Sequence, residues 1–560
     1  METVVDFGEE YWKPVGVKIL KSVFSSPILY MLLFLVFPIV ELWSSNVNQI
    51  RASDTLNAFL IALAFGSTGI LLWKLITKSW HSSAIITSFF IGLFASYGHI
   101  YNFIEGQAVF GFTVGRHRFL LPLWILLAVS GSYLTLKKIK QTESITVYLN
   151  ICAIVLVLQP ITQVATYYID QIGVTALEQE DLDFVQGIEK GFNKNDLPNI
   201  YYIITDAYAR TDILSERYDY DNSSFIRYLT DQGFFVAEES STNYLWTHLS
   251  LSSTLNMNYI PDILPDWENG DPVPSVQLIH DSIVRRRLES LGYKTVGFAT
   301  GWEGSELFDA DVVLTPDMMK YQMLESSGVI NDFEGMLLST TLIKALIDLD
   351  SVVHTPIDDY VRERLAHRFA VQRGTILGLI DNLQRTPSLE GPIFVFAHIL
   401  SPHGPMIFGP NGEAVENDGP FTLDVPIDLP GGQHGERYLD QLTYITKRLQ
   451  ETIEVLLAES ERDVIIILQS DHGPGGGLNW DHPTKAALKD KQAIINAYYV
   501  PHACQSSLYD SITPVNSFRV IFNCVFENTF PLLEDKTYFG IEFFIPLDEF
   551  YEDALDSNEE

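Results

Sequence analysis

The sequence predicts a two-part protein, in which a bundle of five transmembrane helices precedes an α/β domain built on a mainly parallel sheet. Three observations predict this fold class. Five long apolar segments fall within the first third of the 560 residues, short apolar runs alternate with helical stretches over the rest, and the acidic residues are concentrated after the apolar segments. A chain of this length exceeds what one hydrophobic core usually organises, so two or more structural units are expected.

Each apolar segment is long enough to cross the hydrocarbon of a bilayer, which takes about 20 helical residues. A set of buried helices in a soluble core is the alternative. It fits poorly with five such segments in succession, almost free of charge inside and separated by short charged loops. The predicted spans are residues 23–43, 56–77, 82–104, 119–136 and 146–169.

The basic residues around the spans predict their orientation. Eight lysines precede the first span or lie in the loops on its side, whereas the opposite loops contain three arginines. Because basic loops stay in the cytoplasm, we expect a cytoplasmic N-terminus in the plasma (inner) membrane and an extracytoplasmic C-terminal part. No cleavable signal peptide is predicted, since the first span lacks a clear small-residue cleavage site and further spans follow it.

A basic triplet, Arg116, His117 and Arg118, stands just before the fourth span at its predicted outer face. Anchoring at the membrane interface is the simpler interpretation. Contact with a lipid phosphate is the alternative, because basic clusters beside spans attract anionic headgroups. Membrane lipids are therefore expected partners under either interpretation.

The predicted domains are a transmembrane part at residues 1–169, a juxtamembrane connector at 170–199 and an extracytoplasmic domain at 200–560. The chain contains 36 Lys+Arg against 71 Asp+Glu, a net charge of -35, and nearly all of the excess lies in the third part. An acidic domain repels nucleic acid, so no nucleic-acid partner is expected. Cys504 and Cys524 could pair in an oxidising compartment or remain buried thiols.

Short apolar runs in the third part predict its strands. Residues 200–205 and the runs GFFVAEE, KTVGFAT, GPIFVFAHIL and VIIILQS have the length and composition of buried strands. Helical stretches separate them, notably at residues 222–232, 358–383 and 436–458. Strands alternating with helices indicate an α/β domain, in which ligands bind beyond the carboxyl ends of the strands.

Polar side chains follow three of these predicted strands. Asp206 follows the first, His398 and His403 lie in FAHILSPHGP, and Asp471 and His472 follow VIIILQS. Each also has a structural interpretation by itself, as a turn or cap residue or as a satisfied histidine. An adjacent carboxylate and imidazole can, however, ligate one divalent cation. The three strand ends together predict a metal site at the rim of the sheet.

Three further residues are candidates for the same site. Thr247 begins a predicted helix in STNYLWTHLSLSSTLN, where the positive potential of a helix N-terminus favours an alkoxide and an arriving anion. A hydroxyl-rich cap without chemistry is the alternative. A glycine-rich loop could fold His482 back towards the rim. Trp302, in ATGWEGSELF, is a candidate for lining the pocket, with an exposed turn as the alternative.

The order of these residues resembles the sulfatase-like branch of the alkaline-phosphatase superfamily. With five spans ahead of the domain, the chain looks like membrane-anchored phosphoethanolamine transferases and lipoteichoic acid synthases. T-x-x-S at residues 247–250 is similar to their nucleophile segment, HILSPHGP has their paired-histidine spacing, and SDHG resembles their metal motif. The Cys/Ser-x-Pro-x-Arg segment that true sulfatases convert to formylglycine does not occur, which argues against ordinary sulfate-ester hydrolysis.

The resemblance implies that Asp206, Thr247, Asp471 and His472 hold one divalent cation, Zn²⁺ or Mn²⁺. It also implies that Thr247 is the nucleophile of an enzyme. Two features depart from the family. The transferases usually have glutamate where this chain has Asp206, which bears on metal preference, and their exported domains contain more cysteines.

The resemblance further implies that His403, with His398 and His482, binds the substrate phosphate, assists the leaving group or holds a second metal. The implied reaction transfers a phospho-group from a lipid-linked phosphodiester to an acceptor in the cell envelope. An exported phosphatase, phosphodiesterase or atypical sulfatase that uses water is the enzymatic alternative. A binding or sensing module that has kept the fold without the chemistry is the other alternative.

Overall fold

A computed structural model of the chain divides it into two compact units. The first comprises Met1–Gly173 and Val329–Leu365, and the second comprises Val174–Gly328 and Ala366–Glu560. The structure describes residues 23–47, 52–104, 108–109, 112–113, 116–139, 142–173, 193–265, 272–317, 319–321, 332–345, 356–417, 421–423, 425–432, 434–480, 482–540 and 544–550.

Five helices of the first unit are long and apolar enough to cross a membrane, judged by length and composition among the described residues. The predicted number and order of apolar helices are therefore confirmed. Their bounds are α1 Pro27–Ser44, α2 Leu56–Thr77, α3 Trp80–Ile104, α4 His117–Lys137 and α5 Thr142–Gly173. A short 3-10 helix, Ala52–Thr55, precedes α2, and Ala108–Val109 pairs with Phe112–Thr113 between α3 and α4.

The first unit also contains the helix Asp332–Thr340, which the sequence prediction placed with the outer domain. Phe333 is fully buried in a cluster with Ile39 and Ala58. The amide of Leu342 donates a hydrogen bond to the carbonyl oxygen of Phe94, 2.9 Å away. Apolar contacts hold this segment against α1 to α3, and a helix this short has no sequence signature of its own. The predicted boundaries at residues 169 and 199 stay predictions.

The basic triplet before α4 is split between two environments. His117 is buried, its Nδ1 lies 2.8 Å from Tyr97 Oη, and its ring stacks on that of Tyr101 with the centroids 3.8 Å apart. Arg116 and Arg118 are exposed. His117 therefore packs inside the helical unit, and only the two arginines have the exposure that interfacial anchoring or a lipid contact would require.

A seven-stranded sheet forms the centre of the second unit, and it confirms the predicted mainly parallel α/β fold. Its strands are β1 Asn199–Asp206, β2 Phe235–Val236, β3 Lys294–Phe298, β4 Val312–Leu314, β5 Ile393–Pro402, β6 Val464–Ser470 and β7 Asn496–Tyr499. The strand order is β2-β7-β6-β1-β5-β3-β4. Strands β6, β1, β5, β3 and β4 are parallel, whereas β7 is antiparallel to both β6 and β2.

The central strand β1 is buried on both faces, as its unbroken apolar sequence predicts. Alternate side chains enter different cores because successive residues of a strand point to opposite faces. Tyr201 and Ile203 join one core, while Ile200, Tyr202 and Ile204 join the other. The sheet is thus the middle of three layers, with helices on both sides.

The helices of the second unit cover the two faces of this sheet. In chain order they are α6 Thr211–Tyr218, α7 Ser223–Asp231, α8 Thr247–Asn256, α9 Ile260–Ile263, α10 Pro272–His280, α11 Ile283–Ser290, α12 Pro356–Leu383, α13 Gly435–Glu459, α14 Lys485–Gln492, α15 His502–Gln505 and α16 Pro514–Val525. Helix α12 belongs to the second unit from Ala366 onwards. Short 3-10 helices occur at Lys194–Asp196, Glu303–Ser305 and Thr386–Ser388, and Tyr538–Phe539 pairs with Ile545–Pro546. The predicted helices at residues 222–232, 358–383 and 436–458 correspond to α7, α12 and α13.

Cys504 and Cys524 form a disulfide that links α15 to α16, with their Cα atoms 5.5 Å apart. This settles the alternative that the sequence left open between a bridge and two thiols. Cys152, in α5, is a free and exposed cysteine. The bridge is consistent with an oxidising compartment for the second unit.

We expect the paired substitutions Cys504→Ser and Cys524→Ser to lower the free energy of unfolding of the second unit by about 3 kcal/mol, because the bridge restricts the unfolded chain. Thermal unfolding of the purified full chain, followed by near-ultraviolet circular dichroism, measures the effect. Cys152→Ser is the matched control and should leave the midpoint unchanged. Equal midpoints for the paired variant and the control would contradict the prediction.

Candidate metal centre

The parallel register of three neighbouring strands brings the predicted site residues to one edge of the sheet. Thr205 of β1 pairs with Ser470 of β6, so Asp206 and Asp471 follow equivalent positions of adjacent strands. On the other side of β1, Ile204 pairs with His398 of β5. Side chains that are 73 to 265 positions apart in the sequence therefore meet because the strands run in the same direction.

Two overlapping triads of potential metal ligands result within the described part of the chain. In each triad the ligand atoms all lie within 4.8 Å of one another, and Asp206 belongs to both. The Oδ1 atom of Asp206 lies 3.6 Å from Nε2 of His472, and its Oδ2 atom lies 3.9 Å from Nε2 of His398. The triads are Asp206, His403 and His472, and Asp206, His398 and Asp471.

Thr247 is the first residue of α8, and its hydroxyl faces this cluster. The Oγ1 atom lies 3.2 Å from Nε2 of His472, and Asp471 Oδ2 lies 3.5 Å from the same nitrogen. A threonine hydroxyl, a carboxylate and an imidazole therefore lie close enough together to contact one bound atom. The predicted convergence of Thr247 with the SDHG segment is present in the structure.

Three buried polar atoms of the cluster have no hydrogen-bond partner among the residues that the structure describes. They are Asp206 Oδ1, Asp471 Oδ2 and His398 Nε2. Such atoms are costly to bury unless a ligand or ion satisfies them. All three are oxygen or nitrogen donors of the kind that Zn²⁺ and Mn²⁺ accept. The residues present therefore fit a divalent cation, and the orphaned atoms are the observation that supports this fit.

Hydrogen bonding orients His472 towards the cluster. Its Nδ1 atom lies 2.9 Å from the carbonyl oxygen of Gly473, so this nitrogen donates and Nε2 keeps its lone pair. Gly473 has to be glycine, because a Cβ atom there would lie 2.0 Å from the carbonyl oxygen of Asp490. The amide of Gly473 donates to the carbonyl oxygen of Lys491 at 2.7 Å. The glycine thus lets α14 approach closely enough to support the metal motif.

The protonation states of the buried histidines suit metal binding. Burial lowers the pKa of His472 to about 3 and that of His398 to about 4. Both imidazoles are consequently neutral at physiological pH and can donate a lone pair. Burial, followed by the neighbouring charge of Asp471, raises the pKa of Asp206 well above its usual value. Two carboxylates in one buried site repel each other, and a divalent cation would remove that repulsion.

The HILSPHGP segment is held in place by Gln441 of α13. The Nε2 atom of Gln441 donates to the carbonyl oxygen of His403 at 2.8 Å, while its Oε1 atom accepts from the amide of Ile407 at 2.8 Å. The amide of His403 donates to the carbonyl oxygen of Asp206. The ring of His403 lies near that of His472, with centroids 5.8 Å apart. His403 therefore lies at the cluster and is only partly buried.

Trp302 lies beside the cluster, whereas the structure gives His482 no contact with it among the described residues. The Trp302 ring meets the edge of the His398 ring with centroids 5.8 Å apart. Ser305 Oγ lies 3.0 Å from Nδ1 of the same histidine. His482 is exposed, and its backbone amide donates to Asn479. The roles predicted for Trp302 and His482 remain predictions.

Sequence reasoning missed a buried carboxylate that shapes the glycine-rich loop. Asp490 accepts hydrogen bonds from the amides of Gly475 and Gly476, at 3.0 and 3.2 Å, and forms an ion pair with Arg217 at 2.9 Å. The hydroxyl of Tyr218 donates to it as well. Asp490 lies in the polar stretch LKDKQ, which reads as a solvated helix face. Only its position under the loop distinguishes it from a surface aspartate.

No protein-family model and no curated protein matches this chain by sequence. A structure search finds the C-terminal periplasmic domain of EcEptC from Escherichia coli, with 14% identity and a TM-score of 0.37, covering 64% of this chain and 94% of that one. It also finds the integral membrane lipooligosaccharide phosphoethanolamine transferase A (EptA) from Neisseria meningitidis, with 10% identity and a TM-score of 0.35, covering 88% and 95%. The 2-O GAG sulfatase BT1596 matches with 12% identity and a TM-score of 0.34, covering 60% and 72%.

These matches fall in the classes of protein that the sequence motifs resemble, namely phosphoethanolamine transferases and sulfatases. Each TM-score is below 0.5 and each identity is below 25%, so the matches carry no argument about chemistry. The assignment of activity therefore depends on the geometry of the cluster itself.

We expect Asp206→Asn and Asp471→Asn each to weaken divalent metal binding by about 100-fold or more, because each removes an anionic donor from the centre of the cluster. Elemental analysis of the purified full chain after equilibration with Zn²⁺ or Mn²⁺ provides the measurement. Asp231→Asn, at an exposed position of α7, is the matched control. Full metal occupancy in both cluster variants would contradict the assignment of this cluster as a metal site.

Proposed function

We propose that this protein is a membrane-anchored, metal-dependent enzyme of the sulfatase-like type. It would transfer a phospho-group from a lipid-linked phosphodiester, through Thr247, to an acceptor in the cell envelope. One observation carries the proposal. The hydroxyl of Thr247 lies 3.2 Å from Nε2 of His472, in a cluster where three buried ligand atoms have no hydrogen-bond partner among the described residues. A hydroxyl whose only role was to cap α8 would have no reason to lie beside potential metal ligands.

The residues proposed to hold one cation are Asp206, Thr247, Asp471 and His472. A bound Zn²⁺ or Mn²⁺ would lower the pKa of a coordinated hydroxyl and neutralise charge on phosphoryl oxygens. Two overlapping triads share Asp206, and the second includes His398. A second cation is therefore compatible with the site, while one is the minimum that the proposed reaction requires.

Thr247 performs the bond-making step of the proposed reaction. Its hydroxyl proton passes to solvent, and Oγ1 attacks the phosphorus of the donor. The new P–O bond to Thr247 forms as the P–O bond to the lipid alcohol breaks. The positive end of α8 lies behind the attacking oxygen and favours both the alkoxide and the anionic phosphoryl group.

His403 is proposed to carry the protons of the two half-reactions. It is at the edge of the cluster and partly exposed, so it can reach both the substrate and solvent. In the first half-reaction it gives a proton to the departing lipid oxygen. In the second, an acceptor hydroxyl attacks the phosphorus of phospho-Thr247 and gives its proton to His403. The P–O bond to Thr247 breaks at the same time, and Oγ1 takes a proton back from solvent. His398, His482 and Trp302 are proposed to contact the substrate from the sides.

The five apolar helices support a lipid as the donor. An enzyme fixed in the bilayer shares a surface with its lipid substrate, which raises the effective concentration of one for the other. The disulfide of the second unit and the distribution of lysines around the helices support an extracytoplasmic position for the catalytic domain. The plasma (inner) membrane of a bacterial envelope is the proposed location.

We expect Thr247→Val to reduce transfer from a lipid phosphodiester by about 10⁴-fold or more, because the variant keeps the shape of the side chain and loses the nucleophile. Labelled lipid donors incubated with the full chain provide the assay. Mass spectrometry of the wild-type protein should locate a phospho-group on Thr247. Thr247→Ser keeps a hydroxyl and should keep measurable transfer and the adduct.

Three outcomes distinguish the alternatives. Label that appears in free water-soluble product without an added acceptor would indicate a hydrolase. Transfer that persists in Thr247→Val at the wild-type rate would exclude Thr247 as the nucleophile. Metal binding in the wild-type protein without any adduct or turnover on phosphodiester and sulfate-ester substrates would indicate a binding module.

A further inference from the structure

Two tryptophans stack on each other beside the proposed nucleophile, and no step of the proposed reaction uses them. Trp246 directly precedes Thr247, whereas Trp480 lies eight residues after His472. Their ring centroids are 4.6 Å apart, and the ring planes differ by 18°. One partner therefore belongs to the segment of the nucleophile, and the other belongs to the segment of the metal motif.

Trp246 is connected rigidly to the nucleophile because helix α8 begins directly after it. Its carbonyl oxygen accepts hydrogen bonds from the amides of Leu249 and Ser250, at 3.1 and 2.9 Å, which close the first turn of the helix. Its side chain makes no capping bond, and its indole Nε1 has no hydrogen-bond partner among the described residues. Packing of the ring, rather than a side-chain hydrogen bond, therefore fixes Trp246.

Trp480 lies at the far end of the glycine-rich loop that begins at Gly473. The first part of this loop is fixed to α14, since Asp490 accepts hydrogen bonds from two of its amides. Gly477 has a φ angle of +71°, and a Cβ atom added there would meet no other atom within 4 Å. Space is thus left around the middle of the loop, and the Trp480 ring attaches its far end to the protein again.

The Trp480 ring is 40% exposed, so burial alone does not explain its position. Its centroid lies 6.2 Å from that of Phe539, which in turn stacks on Phe550 at 4.2 Å. Aromatic rings at these spacings attract each other beyond the gain from the area that they bury. The stack on Trp246 and the contact with Phe539 therefore hold an exposed ring in one place.

These contacts form a closed circuit around the reacting oxygen. The Oγ1 atom of Thr247 lies 3.2 Å from Nε2 of His472, and the same two chain segments meet again at the stacked rings. Thr247 is only half-buried, so the surrounding protein leaves its side chain room to move. A displacement of about 1 Å at a reacting group can slow a reaction by about 100-fold. A second contact between the two segments therefore bears on the reaction rate.

We propose that Trp246 and Trp480 form an aromatic clasp, which holds the Thr247 hydroxyl against the metal motif. Both are positioning residues, because they act through the segments that contain Thr247 and His472 and contact neither the phosphoryl group nor the cation. The inference rests on the proposed function and deepens it, since it names what keeps the nucleophile in place during both half-reactions.

The test compares the rate at which phospho-Thr247 forms in the metal-saturated full chain, wild type and Trp480→Ala, with a labelled lipid phosphodiester as the donor. We expect the variant to bind as much metal as the wild type and to react about 10- to 100-fold more slowly at saturating donor. The donor concentration at half-maximal rate should stay within about twofold of the wild type, because the clasp does not touch the donor. Trp480→Phe keeps a ring and should recover part of the rate.

Two further variants separate the clasp from ordinary packing. Trp246→Leu combined with Trp480→Ala should react no more slowly than the slower of the two single variants, because both remove the same contact. Met319→Ala is the control, since it removes an exposed apolar side chain from the segment whose Lys320 pairs with Asp381 of α12, and it should react as the wild type does. If Trp246→Leu does not fold, the comparison of Trp480→Ala with Trp480→Phe decides the question.

A rate for Trp480→Ala that equals the wild type, at equal metal content, would overturn the inference and leave the proposed function intact. Loss of bound metal would also overturn it, because the stack would then support the metal ligands rather than the nucleophile. A change confined to the half-maximal donor concentration would make Trp480 a substrate contact and overturn its positioning role. Wild-type protein that forms no phospho-Thr247 would instead overturn the proposed function, on which the inference rests.

Discussion

The placement of β1 between two parallel neighbours is the constraint on which the whole site depends. Hydrogen bonding of β1 with β5 and β6 aligns their carboxyl ends, so Asp206, His398 and Asp471 emerge at one rim. The register shifts between Thr205 and Asp206, which places Asp206 opposite Pro402. Side chains alternate between the two faces of a strand. A shift of one residue in the register of β1 would therefore point the Asp206 side chain into one of the hydrophobic cores and remove it from the cluster.

Burial strengthens the electrostatic interactions of the cluster but lowers the stability of the fold. Carboxylates and imidazoles without partners lower the stability of a fold, since their hydration is lost and nothing replaces it. The cation proposed for this cluster would satisfy the orphaned atoms of Asp206 and Asp471, which would link metal binding thermodynamically to folding of the rim. Asp490 illustrates the other solution, in which the protein itself satisfies a buried carboxylate through an ion pair with Arg217, two backbone amides and the hydroxyl of Tyr218.

Much of the fold could be predicted because its signals are local. The apolar runs that became β1, β5 and β6 are unbroken and flanked by turn residues, and the buried positions of α13 recur at helical spacing. Strands β4 and β7 were not predicted, because NAYY and VVL are too short to show a period and depend on pairing with their neighbours. The helix Asp332–Thr340 was likewise assigned by sequence position, while its packing in the first unit depends on contacts with residues far away in the chain.

By itself, the sequence determined the five apolar helices and the α/β character of the second unit. It also showed which polar groups stand at Thr247, Asp471 and His472. Hydropathy, periodicity and neighbouring residues are properties of short stretches, so these features can be predicted locally. Only the tertiary structure decided that these donors meet, that Cys504 pairs with Cys524, and that Lys491 lies against His472 rather than in solvent. The reason is physical. Contacts of this kind are fixed by strand register and by the close approach of α14 over Gly473, and neither leaves a pattern in the residues concerned.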